Sequence, residues 1–179
     1  SRQSRGLGDV YKRQVIILMH TGSFLPAVVN GQATGSKSDN SVVENCMRWA
    51  KKGYVAVAMS YRQGWNPTSP SQAVRTATIL QAAYRGIHDS KAMVRHLRKT
   101  ADVDGNPYGI DESKIVIGGQ GTGAYLSMGY ITLDTVSELL IYPKFWDTSD
   151  PDPSNHVPLI APNFGLSMDT VYGLSLIHI

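Results

Sequence analysis

Apolar residues in this chain fall into two patterns, short continuous runs and stretches with helical spacing. Val15-Ile16-Ile17-Leu18-Met19, Tyr54-Val55-Ala56-Val57-Ala58-Met59 and Ile115-Val116-Ile117 have no polar interruption. That is the pattern of parallel strands buried on both faces. Between the first two runs, Ser41-Val42-Val43-Glu44 has the form of a capping box. It predicts a helix carrying Val43, Met47 and Ala50 at helical steps, ended by Gly53. Between the second and third runs, Val74, Ala77, Leu80, Tyr84, Ile87, Val94 and Leu97 recur at three- and four-residue steps, with Ser90 in the one gap. This predicts an amphipathic helix from about Ser71 to Ala101, which Gly86 is expected to kink or divide, because glycine costs about 1 kcal/mol in a helix interior. A further helix is expected from Ala124 to about Leu133. Beyond Asp134 the periodicity fades into Pro- and Asp-rich sequence, where no strand is predicted. Strand and crossover helix in alternation predict an α/β domain, a parallel sheet with helices on both faces.

Composition narrows the function classes. The chain has 179 residues, 42% hydrophobic and 17% charged, which fits one ordinary globular domain. No apolar stretch approaches the roughly 20 residues of a membrane span. Cys46 is the single cysteine, so neither an internal disulfide nor a thiolate cluster can form. The net charge of +3 is held by residues 1–14, where Arg2, Arg5, Lys12 and Arg13 face only Asp9. The remainder is balanced and has no electrostatic footprint for nucleic acid. GDVYKRQ near the start and LSLIHI at the end resemble translated sequencing-adapter read-through. Residues 1–14 and 174–179 are therefore read as non-native tails, and 15–173 as the N-terminal part of a longer domain.

The segment IVIGGQGTGAYLS joins a predicted strand to a predicted helix through a glycine-lined turn. A sharp turn of this kind holds one residue above the sheet and points backbone N–H groups at a charge in front of the helix. Gly119-Gln120-Gly121-Thr122-Gly123 resembles the G-x-S-x-G nucleophile elbow of the α/β-hydrolases, with Gly121 at the tip in place of serine. Other stretches fall in the matching order. HTGSF after the first strand resembles the HGGGF oxyanion loop of the carboxylesterase and hormone-sensitive-lipase branch. WAKKGYVAVAMSYRQGWNP resembles the branch's helix-to-strand passage ending in Tyr-Arg. RGIHDSKAMVRHL resembles the helix before the elbow, and NPYGIDESKIVIGGQGTGA its lead-in. The resemblance spans about Val15 to Leu133 and implies an α/β-hydrolase fold and carboxylic-ester hydrolysis. Less specifically, TGSFLP, NGQATGSKSD and GGQGTG resemble a secreted bacterial esterase-like group, implying a secreted or periplasmic location.

Position by position, the resemblance implies that Gly22, Ser23 and Thr122 supply oxyanion-hole N–H groups and that His20 supports the loop. In enzymes where one such donor was removed, the loss was about 3–4 kcal/mol. Gly121 is the departure. Glycine has no hydroxyl, so no acyl-enzyme can form on it. Thr122 and Ser127 are the nearest hydroxyls in sequence, but one lies past the tip and the other on the following helix. Asp147, Asp150, Asp152 and His156 follow the elbow too closely to be the late acid and histidine of a triad, and read as surface-loop residues. Asp89 is expected to pair with an arginine. His88 and His96 are eight apart, not the four of a helical metal pair. Asp102-Val103-Asp104-Gly105-Asn106 begins like a calcium loop, but Pro107 and Ser113 stand where that loop needs glycine and glutamate. No metal and no cofactor are expected.

Three readings stay open: an esterase- or lipase-like chain made inactive by its missing serine, a non-catalytic binding or scaffold protein on the same framework, and a nucleotide-binding α/β domain. The expected partner in the first two is a small ester or acyl ligand. Against the third, the spacing is G-x-G-x-G where dinucleotide sites have G-x-G-x-x-G, and no P-loop lysine follows.

Overall fold

A computed structural model describes residues 12–134 and 137–158. The elements in chain order are β1 (Arg13–Met19), α1 (Ala27–Asn30), α2 (Asn40–Ala50), β2 (Val55–Met59), α3 (Gln72–Asp102), β3 (Ile110–Gly119), α4 (Thr122–Thr132), α5 (Ser137–Leu140), β4 (Trp146–Asp147) and β5 (Val157–Pro158). β1, β2 and β3 form one parallel sheet in the order β2-β1-β3. The three apolar runs are thus the three strands, as expected, and the first of them is central.

Because β2 and β3 flank β1 on opposite sides, the two crossovers run in opposite directions. Right-handed crossovers then put α2 on one face and α3 on the other. Burial agrees with that division. Val15, Ile17 and Met19, on one side of the pleat, are fully buried and share a core with Ala82, Tyr84, Ile87, Val94 and Leu97 of α3 and with Leu126 and Tyr130 of α4. Ile16 points the other way and is buried outside that cluster, as is Val42 of α2.

Several boundaries differ from expectation for identifiable reasons. β1 starts at Arg13, two residues inside the segment set aside as a tail, because the Arg13 N–H donates to the Gly109 carbonyl at 3.0 Å. Lys12 of the same segment pairs with Glu112 at 3.2 Å, and the other tail residues, 1–11 and 174–179, lie outside the described residues. α2 begins at Asn40, so Ser41 lies within the helix and the expected capping box does not form. Asp39 stands at the N-cap, and its carboxylate accepts from the Gly35 N–H at 2.8 Å and the Ser36 N–H at 3.0 Å. The acid thus ties down the preceding loop. Gly53 ends this region at φ +92°, as expected.

α3 is a single continuous helix across Gly86, capped by Ser71. The glycine is there for a close approach: a Cβ on Gly86 would lie 2.6 Å from Leu126 Cδ1. α3 and α4 cross at this point. β3 extends well beyond the apolar run, to Ile110, with a register irregularity opposite Arg13 and Val15. Past Asp134, where no strand was predicted, β4 and β5 form a two-residue antiparallel pair. Among the described residues, no helix is long and apolar enough to cross a membrane.

Candidate functional site at the carboxyl edge of the sheet

In register, Met19 lies opposite both Met59 and Gly119. All three strands therefore end at one level, and His20-Thr21, Ser60-Tyr61 and Gln120-Gly121 leave the sheet side by side. The carboxyl edge is where open parallel sheets place their ligands.

The turn after β3 is built around its glycines. A Cβ on Gly119 would sit 2.6 Å from the Gly123 carbonyl carbon, and one on Gly123 would sit 2.6 Å from the Met19 carbonyl oxygen. Both flanking glycines are required for α4 to start hard against β1. Between them Gly121 has φ +52° and ψ −117°, a conformation that L side chains rarely adopt, and it forms the N-cap of α4. The Thr122 N–H, in the first turn of α4, donates to no acceptor among the described residues.

The facing loop is strained as well. Ser23 and Phe24 both have positive φ, +55° and +56°, in a turn closed by the Leu25 N–H donating to the Gly22 carbonyl at 2.8 Å. A bulky residue in that region is uncommon and persists only when its surroundings hold it. Phe24 is buried edge-on to Tyr61, and its carbonyl accepts from the N–H groups of Gly64 (2.9 Å) and Trp65 (3.3 Å). Gly22, at φ +130°, has no room for a side chain, since its Cβ would lie 2.8 Å from Gly35 Cα. The Asn30 amide holds the loop from beneath, donating to the carbonyls of Leu25 and Thr34 at 3.1 and 2.9 Å. The Ser23 N–H, like that of Thr122, has no acceptor among the described residues.

Tyr61 joins the two halves. Its hydroxyl donates to the His20 carbonyl at 2.9 Å and lies 2.7 Å from Thr122 Oγ1. With its one proton committed to the carbonyl, Tyr61 accepts from Thr122. The imidazole of His20 is fully buried, stacks on the Tyr61 ring at 4.3 Å, and donates from Nδ1 to the Thr21 carbonyl at 2.5 Å. His20 Nε2 is buried without a hydrogen-bond partner among the described residues. Burial raises the Tyr61 pKa, against a smaller lowering by the Thr122 hydrogen bond.

All five predicted site residues lie on this edge. Gly22 and Ser23 form the strained loop, Gly121 and Thr122 the turn that opens α4, and His20 packs beneath them. The alternative hydroxyls are already committed: Thr122 to Tyr61, and Ser127 to the Gly123 carbonyl at 2.9 Å, within its own helix. Asp89 accepts from the Arg62 N–H at 2.8 Å and from its guanidinium, so the Tyr-Arg passage and the RGIHDSKAMVRHL helix are joined by an ion pair. Asp147, Asp150, Asp152 and His156 stay in the β4–β5 unit, where Asp147 and Asp152 bond to Ser149 and Ser154, and His156 bonds to the Asp150 carbonyl. Among the described residues no cluster of three His, Cys, Asp or Glu side chains could hold a metal. Asn106 of the calcium-like segment instead brackets Ile110, donating to its carbonyl and accepting from its N–H, both at 2.9 Å.

Comparison with protein-family models, with curated proteins and with solved structures found no match.

Proposed function

We propose that this chain is an α/β-hydrolase-like protein of the carboxylesterase type, whose elbow binds a small ester or acyl ligand without hydrolysing it. The observation that carries this reading is the backbone of Gly121. Its φ and ψ of +52° and −117° aim residue 121 away from the sheet at the start of α4, the posture of a nucleophile elbow, while the residue itself has no side chain. Two positive-φ residues in the facing loop and two N–H groups without acceptors among the described residues supply the rest of an oxyanion-type cradle. Such donors need no side chain, so the loss of serine removes chemistry and leaves recognition. The nucleotide-binding reading is disfavoured because the Gly123 N–H donates to the Gln120 carbonyl at 2.9 Å, where a phosphate cradle needs its glycine N–H groups open to the ligand.

The test is a titration of the ¹⁵N-labelled chain with butyrate, the acid of a short-chain ester. Shifts centred on the amides of Gly22, Ser23 and Thr122 are expected. Shifts confined to lysine-rich surface, or none at all, would overturn the reading.

A further inference from the structure

Residue 121 is a glycine with a neighbour in its side-chain space. A Cβ built on Gly121 would overlap the Thr21 hydroxyl oxygen and come within 3.0 Å of Thr21 Cβ. Thr21 belongs to the HTGSF loop, where the family pattern it resembles has a glycine. Thr21 is half-buried, and its hydroxyl has no hydrogen-bond partner among the described residues. We propose that Thr21 and Gly121 are an exchanged pair: Thr21 supplies from the loop the hydroxyl that the elbow lacks, and it fills the space that a side chain on residue 121, already disfavoured by the positive φ, would need. Resting on the acyl-binding reading above, Thr21 is then the side chain that meets the ligand's oxygen between the loop and the α4 turn.

The steric half follows from distances. A serine or alanine at 121 meets the threonine at once. Rotating Thr21 can move Oγ1 aside, but Cβ is fixed by the backbone and stays in tight contact. Only loss of the Thr21 side chain clears the space. The chemical half follows from position. A hydroxyl at the elbow tip can donate to a carbonyl or carboxylate oxygen held by the loop and turn N–H groups. With no base bonded to it among the described residues, it is a positioning group and not a nucleophile.

Four chains decide the steric half by thermal melting: the natural one, Gly121→Ala, Thr21→Gly and the double variant. Gly121→Ala is expected to melt below the natural chain, and the double variant above Gly121→Ala, although Thr21→Gly alone also loses stability. Losses that simply add would overturn the exchange. Because alanine brings only Cβ, this cycle stays readable if Gly121→Ser fails to fold. The chemical half is read by butyrate titration of Thr21→Ser and Thr21→Val. Serine should keep the affinity of the natural chain, and valine, equal in shape, should weaken it about fivefold, the loss of one hydrogen bond. Equal affinity for the valine variant would overturn the role of the hydroxyl. If the natural chain itself binds no butyrate, the acyl-binding reading fails and the positioning role with it, while the melting cycle still decides the exchange.

Discussion

The Tyr61 hydroxyl accepts from Thr122 at 2.7 Å while donating to the His20 carbonyl at 2.9 Å, so one side chain from the β2 loop locks the β1 loop to the elbow. Tyr61→Phe keeps the ring, its stacking on His20 and its contact with Phe24, and removes only the oxygen. It leaves a buried carbonyl and a buried hydroxyl unpaired, which costs about 1–3 kcal/mol. Chemical denaturation should show that loss. Amide exchange at Gln120 and Gly123, whose N–H groups bond to the Met19 and Gln120 carbonyls, should quicken by more than at Leu97, far from the edge; uniform quickening would mean that the bond is not a local lock.

Gly86→Ala sets two effects of opposite sign against each other. Alanine is favoured over glycine in a helix by about 1 kcal/mol. Against that, its Cβ would lie 2.6 Å from Leu126 Cδ1 and 3.3 Å from Cγ, in a side chain that is 1% exposed and has nowhere to turn. Overpacking of this kind costs about 1–3 kcal/mol, so the variant should be net destabilised. Leu126→Ala removes a core side chain and destabilises on its own, but Gly86→Ala should cost less in that background than in the natural chain. A more stable Gly86→Ala chain would show that α3 and α4 do not cross this closely.

The expected kink at Gly86 shows where sequence reading runs out. Glycine in an amphipathic stretch has one local meaning, weak helix, and that meaning is overridden by a contact with Leu126, 40 residues away. The three parallel strands and the glycine turn that leads into α4 are legible because continuous apolar runs and a strand-glycine-helix junction are local signals. Asp39 was hidden behind Ser41-Glu44, a better-looking cap, because the loop N–H groups that recruit it cannot be read from spacing. Tyr61 lay inside a quoted passage, but its partners come from two other segments. Thr21 was passed over in favour of Thr122 and Ser127, hydroxyls close to the tip in sequence. The hydroxyl that reaches the tip in space comes from another strand.

His88 makes stability pH-dependent. Burial pushes its pKa down to about 4, reinforced by Arg62, Arg95 and Lys91 and opposed by Asp89. The unfolded chain takes up this proton near the ordinary histidine pKa of about 6.5 and the folded chain only near 4. Stability is therefore full above about pH 6.5 and falls as the pH drops toward 4, by at most about 1.4 kcal/mol per pH unit. His88→Gln should flatten this part of the curve in a series of denaturant melts. An unchanged slope would assign the dependence to other groups.

Among the described residues β3 is an edge of the sheet, and Val116 on it is 51% exposed. Tyr125, Met128 and Ile131 of the adjoining α4 are 61–70% exposed at three-residue steps, one continuous apolar strip. An open edge beside such a strip favours association. Sedimentation velocity should show concentration-dependent self-association, reduced in Tyr125→Lys/Met128→Glu. A monomer at all concentrations would show that this surface is satisfied within the chain.

The most direct test of binding without hydrolysis is turnover of 4-nitrophenyl butyrate by the unmodified chain. Gly121 offers no hydroxyl, Thr122 and Ser127 are committed to Tyr61 and Gly123, and Thr21 has no base among the described residues. The expected result is release of nitrophenol at the buffer rate, unchanged by Thr122→Val or Ser127→Ala. Release well above that rate, abolished by either substitution or by Thr21→Val, would contradict the account and place a working nucleophile at this edge.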